Sequence, residues 1–264
     1  MSVAAMEDYK SKYAIHEACR EGQSTLASQT FIPLHPTTTN TAKPASKVES
    51  LLSANPKLSS LRDPDDRLPL HWAASFNHLA IVQVLVQTKN FDVDATDGSG
   101  WTALHMSCSR KDGEQIVDLL LSKDADVNAK TNTGQTALHF CASKNNLDIA
   151  RTLMAQKPPA SARVKDKRGQ LPLHRAAAAG NVPMMKALLD TGKSPLNATD
   201  VDGQTALHHA VSEGHGDAAM LLLQRGAEWE KKDTWDKVAL DYVPDAKTRS
   251  FILQSAEREG IDLQ

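Results

Sequence analysis

Aromatic side chains are scarce in this 264-residue chain: five Phe, three Tyr and four Trp, 5% in all. The core must therefore be built from Leu, Ala, Val and Ile. Cysteine is scarcer still. Cys19, Cys108 and Cys141 form no CxxC pair, and bridging two of them leaves one over. This usage excludes a disulfide framework and points to free thiols in a reducing compartment. No apolar run approaches the ~18 residues a membrane helix needs, and the start "MSVAAMEDYKSKYAIHEA" lacks the basic-then-apolar order of a signal peptide. An excess of one charge is missing too. Thirty basic residues face thirty-two acidic ones, for a net charge of −2, so nothing global draws the chain to nucleic acid or to an anionic membrane. These features predict a cytoplasmic protein with access to the nucleus. Electrostatic recognition is left to local patches.

What is present is a rhythm. "LPLHWAASFNHLAIVQVLV" returns as "TALHMSCSRKDGEQIVDLLL", "TALHFCASKNNLDIARTLM", "LPLHRAAAAGNVPMMKALL" and "TALHHAVSEGHGDAAMLLL". The matching positions are His16, His71, His105, His139, His174, His208 and Asp241, at intervals of 55, 34, 34, 35, 34 and 33. A period near 33 marks an array of units that lean on their neighbours. Eight residues before each stands Asp8, Asp63, Asp97, Thr131, Asp166, Asp200 or Asp233. Aspartate there marks a turn, because its carboxylate accepts local backbone hydrogen bonds. Each unit then reads as turn, four-residue box, short alanine-rich helix and second helix. The second helix repeats apolar residues at helical spacing, as in Ile116, Val117, Leu120 and Leu121.

The box, close to Thr-Pro-Leu-His, resembles the ankyrin repeat. The resemblance covers about residues 8–255 and predicts an all-α, elongated solenoid of seven stacked helix-turn-helix repeats, starting near 8, 63, 97, 131, 166, 200 and 233. All of it belongs to one domain, 1–264. Thr102, Thr136 and Thr205 are placed to cap first helices. Leu68 and Leu171 lack the hydroxyl but precede Pro69 and Pro172, whose φ suits a helix start. The periodic histidines read as one structural part used repeatedly, bonding to the box and to the neighbouring backbone. They do not read as metal ligands or catalytic groups.

Two irregularities interrupt the period. The first interval carries extra residues in "ASQTFIPLHPTTTNTAKPASK", and 28–46 reads as an irregular Thr/Pro-rich insertion. "CSRKDGEQ" is a residue longer than its counterparts, which predicts Arg110 and Lys111 splayed outward. "ALLDTGKS" at 187–194 imitates a phosphate loop, but a helix precedes it and Pro195 follows, so it reads as a helix end capped by Gly192. No nucleophile elbow, paired-carboxylate site or zinc spacing appears. The expectation is a non-enzyme with no cofactor and no metal.

Binding then falls to the concave surface such stacks present, built from turn tips and the exposed side of the first helices. The tips supply Asp65, Asp66, Arg67, Trp101, Arg168 and Asp202. The positions after each box histidine supply Trp72, Met106, Phe140, Arg175 and His209. Farther along the first helices stand Phe76, Arg110, Lys111 and Lys144. A row of Trp, Met, Phe and Arg is the mixture enriched at interfaces, although Trp72 and Phe140 could equally pack against adjacent helices.

Taken in order, "HWAASFNHLAIV", "GWTALHMSCS", "LHFCASKNN", "LHRAAAAGN" and "SEGHGDAAMLLL" resemble the gankyrin family, especially its yeast counterpart. That family comprises assembly chaperones of the proteasome regulatory-particle base. The resemblance implies a monomer forming a one-to-one complex, with the C-terminal helical domain of one proteasomal ATPase subunit held on the concave face by complementary charge. It assigns Arg67 and Lys144 to that contact, and Trp72, Trp101 and Arg175 also match the family. The insertion is not part of the family pattern. The Leu-x-Cys-x-Glu sequence tied to retinoblastoma binding is absent, with "HHAVSEG" in its place, so that partner is not carried over. The alternative from the array alone is a general ankyrin-repeat adaptor or an inhibitor of a kinase or transcription factor.

Overall fold

The computed structural model describes residues 12–22, 44–89 and 91–263. Asp8 and residues 28–43 of the expected insertion lie outside the described residues. Among those described, the secondary structure is helical, with no strand beyond an isolated bridge between Thr199 and Thr205. No helix among them is long and apolar enough to cross a membrane. The chain divides into two compact units, Met1–Asp126 and Val127–Gln264.

The first unit holds three helix pairs: α1 (Ala14–Arg20) with α2 (Pro44–Ala54), α3 (Pro69–Ser75) with α4 (Leu79–Leu85), and α5 (Ala103–Cys108) with α6 (Glu114–Leu121). Helix α2 begins at Pro44, inside the segment expected to be irregular. First helices pack on first helices, α1 on α3 and α3 on α5, while second helices pack on second helices. Small residues make the first-helix contacts possible. Ala73, Ala74, Ala103 and Cys108 are wholly buried, and any larger side chain would hold the backbones apart.

The second unit repeats the scheme with α7 (Ala137–Lys144) and α8 (Leu147–Met154), α9 (Pro172–Ala178) and α10 (Val182–Asp190), and α11 (Ala206–Ser212) and α12 (Gly216–Gln224). It closes differently, with a 3-10 turn at Ala239–Tyr242 and the longer α13 (Ala246–Arg258), whose first turn Asp245 caps at the Thr248 N–H. Leu138, Leu153, Leu173, Met184 and Leu188 fill this core and are essentially unexposed. Each side chain buried this fully contributes about 1.5–3 kcal/mol.

The turns are built by the periodic aspartates. One carboxylate oxygen of Asp166 accepts the N–H groups of Arg168 and Gln170, both at 2.9 Å. Asp63, Asp97, Asp200 and Asp233 make the same pair of bonds. Thr131 offers only its hydroxyl, to Gln135 N–H at 3.2 Å. Gly169, at φ +74°, shows why glycine follows. A Cβ there would stand 2.9 Å from the Val201 nitrogen of the next turn, and the left-handed backbone is costly for most other residues. Asp66 and Asp236 hold the equivalent left-handed place, which aspartate tolerates better than bulkier residues do.

Candidate functional site

The periodic histidines are structural. His139 takes the Thr136 N–H on Nδ1 at 3.1 Å and places Nε2 3.0 Å from the Gln170 carbonyl of the next repeat. His71 does the same with Leu68 N–H and the Ala95 carbonyl, both at 2.9 Å. His174 uses Leu171 N–H and the Ala198 carbonyl, and His208 uses Thr205 N–H and the Lys237 carbonyl. Nδ1 must be unprotonated to accept, so Nε2 carries the hydrogen and donates. Burial lowers the pKa of His71, His139 and His208, and takes His174 to about 4. Asp241 accepts the Val238 N–H at 3.0 Å but has no second nitrogen to reach onward.

A second periodicity escaped the sequence reading. In four repeats the residue after the last position of the box points back nine positions to the turn aspartate. Trp72 Nε1 donates to Asp63 at 2.7 Å, Arg175 Nη2 to Asp166 at 2.8 Å, and Tyr242 Oη to Asp233; His209 Nε2 lies 2.9 Å from Asp200. Burial pushes the Asp166 and Asp200 carboxyls up. The hydrogen bonds from Arg175 and Gln170 N–H in one case, and from His209, Gln204 N–H and Gln170 in the other, more than offset it and hold both below the usual range. Where the residue after the histidine cannot donate, the acid is served otherwise or missing. Asp97, nine before Met106, receives Arg67 Nε of the preceding repeat at 3.2 Å; Thr131 stands nine before Phe140. The signal was the spacing of nine between Asp and a donor, legible at four of six places.

These contacts revise the expected binding row. In the first unit, Arg67 lies 5.0 Å over the Trp72 ring while paired with Asp97, so it has structural work. Trp72 and Phe76 stack at 6.1 Å, and Phe76 remains 40% exposed. Trp101 is half-buried with its ring edge-on to His105. Met106 is buried and receives the Ser75 hydroxyl at its sulfur, so it is no exposed contact. Arg110 does not splay outward. Its guanidinium grips both carboxylate oxygens of Asp112 and donates to the Ser75 carbonyl, because the longer turn brings Asp112 within reach. Lys111 is exposed without a carboxylate partner among the described residues. Asp65 is exposed at its tip, and Asp66 pairs with Arg62 at 3.1 Å.

In the second unit, Phe140 is buried and leaves the row as Met106 does. Arg175 and His209 are half-buried and held by Asp166 and Asp200; Arg175 Nε is also buried without a hydrogen-bond partner. Lys144 and Arg168 are exposed and meet no carboxylate among the described residues, and Asp202 is half-buried without an ion partner. The three cysteines are buried thiols, and burial takes Cys19 up to about 12, far from a reactive thiolate. The phosphate-loop imitation is indeed a helix end. The left-handed residue there is Lys193, not Gly192, which is needed because a Cβ would crowd Ala162 and the Leu188 carbonyl.

Comparison with known proteins agrees with this architecture. The profile of the family "Ankyrin repeats (3 copies)" matches residues 34–131, 70–166 and 156–233. The "Probable 26S proteasome regulatory subunit p28" of Saccharomyces cerevisiae is 35% identical over 250 residues, covering 93% of this chain and 99% of that protein. The "Ankyrin repeat-containing protein C6C3.08" of Schizosaccharomyces pombe is 34% identical over 83% of this chain and 94% of its own. Among solved structures, the ankyrin repeat domain of Bcl-3, of the IkappaB protein family, matches with a TM-score of 0.66 at 21% identity, covering 90% of this chain and 97% of that one, and so shows the fold. An array of ankyrin repeats matched over 93% of its length by yeast p28 places this chain in the gankyrin family.

Proposed function

We propose that this protein is a non-catalytic assembly chaperone of the proteasome regulatory-particle base, and that it binds the C-terminal helical domain of one ATPase subunit as a one-to-one complex. The observation that carries the reading is the near full-length match to a relative named as a 26S proteasome regulatory subunit. The side chains give it a physical basis. Lys111 in the first unit and Lys144 and Arg168 in the second are exposed cations that no carboxylate among the described residues neutralises. An acidic partner surface would meet charge already in place, which raises on-rate and selects the partner more than it raises affinity. Phe76, stacked on Trp72, offers the first unit an apolar contact beside Arg67. The buried thiols fit a reducing setting, and cytoplasm and nucleus are the compartments proposed.

The test is affinity purification of the tagged full chain from its own cells, followed by identification of co-purifying proteins. Enrichment of one proteasomal ATPase above the others supports the reading. Recovery of a kinase or transcription factor with no proteasomal subunit would replace it with the general adaptor reading.

A further inference from the structure

The two most exposed large apolar side chains among the described residues, Val201 at 63% and Trp235 at 58%, stand on neighbouring turn tips of the second unit. Packing inside the repeats does not require them. Within the second unit the positions equivalent to Trp235 are Thr133, Arg168 and Asp202, and those equivalent to Val201 are Asn132, Lys167 and Thr234, all polar. The tips are joined in register. Lys167 N–H donates to the Thr133 carbonyl, Val201 N–H to that of Arg168 and Thr234 N–H to that of Asp202, at 2.9, 2.9 and 3.0 Å. The next acceptor in this row is the Trp235 carbonyl, and no N–H among the described residues donates to it.

The end of the row is also held firmly. Asp233 accepts the N–H groups of Trp235 and Lys237 at 2.9 and 3.1 Å. Nearby charge is unevenly satisfied. Asp236 pairs with Lys232 at 2.8 Å, and Asp233 is occupied by the Tyr242 hydroxyl and the turn amides. Lys237 lies 5.3 Å over the Tyr242 ring and meets no carboxylate among the described residues. Asp202, one tip back, is the acid left without a cation.

We infer that this tip row ends in a peptide-docking site. An extended segment of a partner polypeptide donates a backbone N–H to the Trp235 carbonyl, lays a large apolar side chain on the indole and sets a carboxylate beside Lys237. Such a segment continues the tip-to-tip hydrogen bonds as one more tip would. The site is independent of the ATPase reading, because any polypeptide with this pattern fits it. Tryptophan is also among the side chains enriched as interface anchors.

The test uses the isotope-labelled full chain and three synthetic peptides: Asp-Glu-Phe-Asp-Glu, the same with Ala for Phe, and Lys-Lys-Phe-Lys-Lys, all with blocked ends. The Trp235 indole N–H signal is assigned with Trp235→Phe. The acidic Phe peptide is expected to shift that signal and the amides of Asp236 and Lys237, and the other two peptides to shift them several-fold less. Trp235→Ala, at an exposed position, should keep the parent's melting temperature and lose the response at Asp236 and Lys237. Trp235 signals that stay still, or move as far with the Ala peptide, would overturn the proposal. Binding of ATPase domains to the parent is scored in a separate titration, so the two readings fail separately.

Discussion

Arg175 Nη2 lies 2.8 Å from the carboxylate of Asp166, nine residues before it and almost wholly buried. The pair ties the first helix of a repeat to its own turn, and that turn holds the backbone that His139 of the preceding repeat contacts through Gln170. Removing the guanidinium leaves a buried carboxylate with backbone partners alone. Arg175→Ala should therefore destabilise by about 1–3 kcal/mol, below the cost of breaking a fully buried pair because Arg175 is partly exposed. Lys144→Ala, which breaks no ion pair, should stay within about 0.5 kcal/mol. Urea unfolding of both variants checks the contrast, and equal midpoints would refute it.

The exception at Thr131 and Phe140 supplies a constructive test. Phe140→Arg alone puts a cation where no carboxylate waits, and Thr131→Asp alone puts an acid that meets turn amides such as the Gln135 N–H but no side-chain donor at position 140. Together they should restore the arrangement seen at Asp166 and Arg175. The double variant should be more stable than the sum of the singles by about 1–3 kcal/mol, measured as a double-mutant cycle. Additive losses would mean that the nine-residue pairing is incidental.

Acid should weaken the fold in a defined window. His71, His139, His174 and His208 have folded pKa values below the ordinary 6.5, because burial disfavours the cation. The unfolded chain thus binds more protons than the native one below about pH 6.5, so stability falls as pH drops through that value. The loss levels off only once the folded value is passed, which for His174 is about 4. Melting temperature should be flat above pH 7 and decline steadily from pH 6.5 to 5. A melting temperature unchanged between pH 7 and 5 would mean that these imidazoles are already charged or already free.

His139→Ala removes the acceptor for Thr136 N–H and the donor for the Gln170 carbonyl, both buried in this repeat junction. The expected loss is about 1–3 kcal/mol. Thermal melting of this variant beside the parent decides it, and coincident curves would rule out the linking role.

The repeats, their helix pairs and the structural use of histidine were legible in the sequence, because periodic recurrence at His71, His105, His139, His174 and His208 leaves little room for another reading. The partition of polar side chains between internal pairing and free surface was not. Arg67 and Arg175 look like free charge in a linear reading, yet each is committed to a buried acid that only the folded turn brings near. Reversing Arg67 would set like charge against Asp97 and cost stability, not just binding. Met106 and Phe140 sit at the same register as Trp72 and Arg175, but with no polar end to satisfy they turn inward. Likewise His78 and His215, at the starts of second helices, reach back to the Arg20 and Ala178 carbonyls of preceding repeats. That link was hidden because asparagine holds the same place at Asn146 and Asn181.

Recognition of one proteasomal ATPase is proposed to rest on charge, at Lys144 and Arg168, that meets no carboxylate among the described residues. It is tested most directly by calorimetric titration of the full chain with the recombinant C-terminal domain of each ATPase subunit, at two ionic strengths. The parent should bind one domain at one-to-one stoichiometry, and more weakly in higher salt. The combined Lys144→Glu and Arg168→Glu variant should lose on the order of several kcal/mol of binding while melting as the parent does, since neither side chain meets a carboxylate among the described residues. No binding to any of the domains, or equally tight binding by the charge-reversed variant, would rule out charge-driven recognition of a proteasomal ATPase.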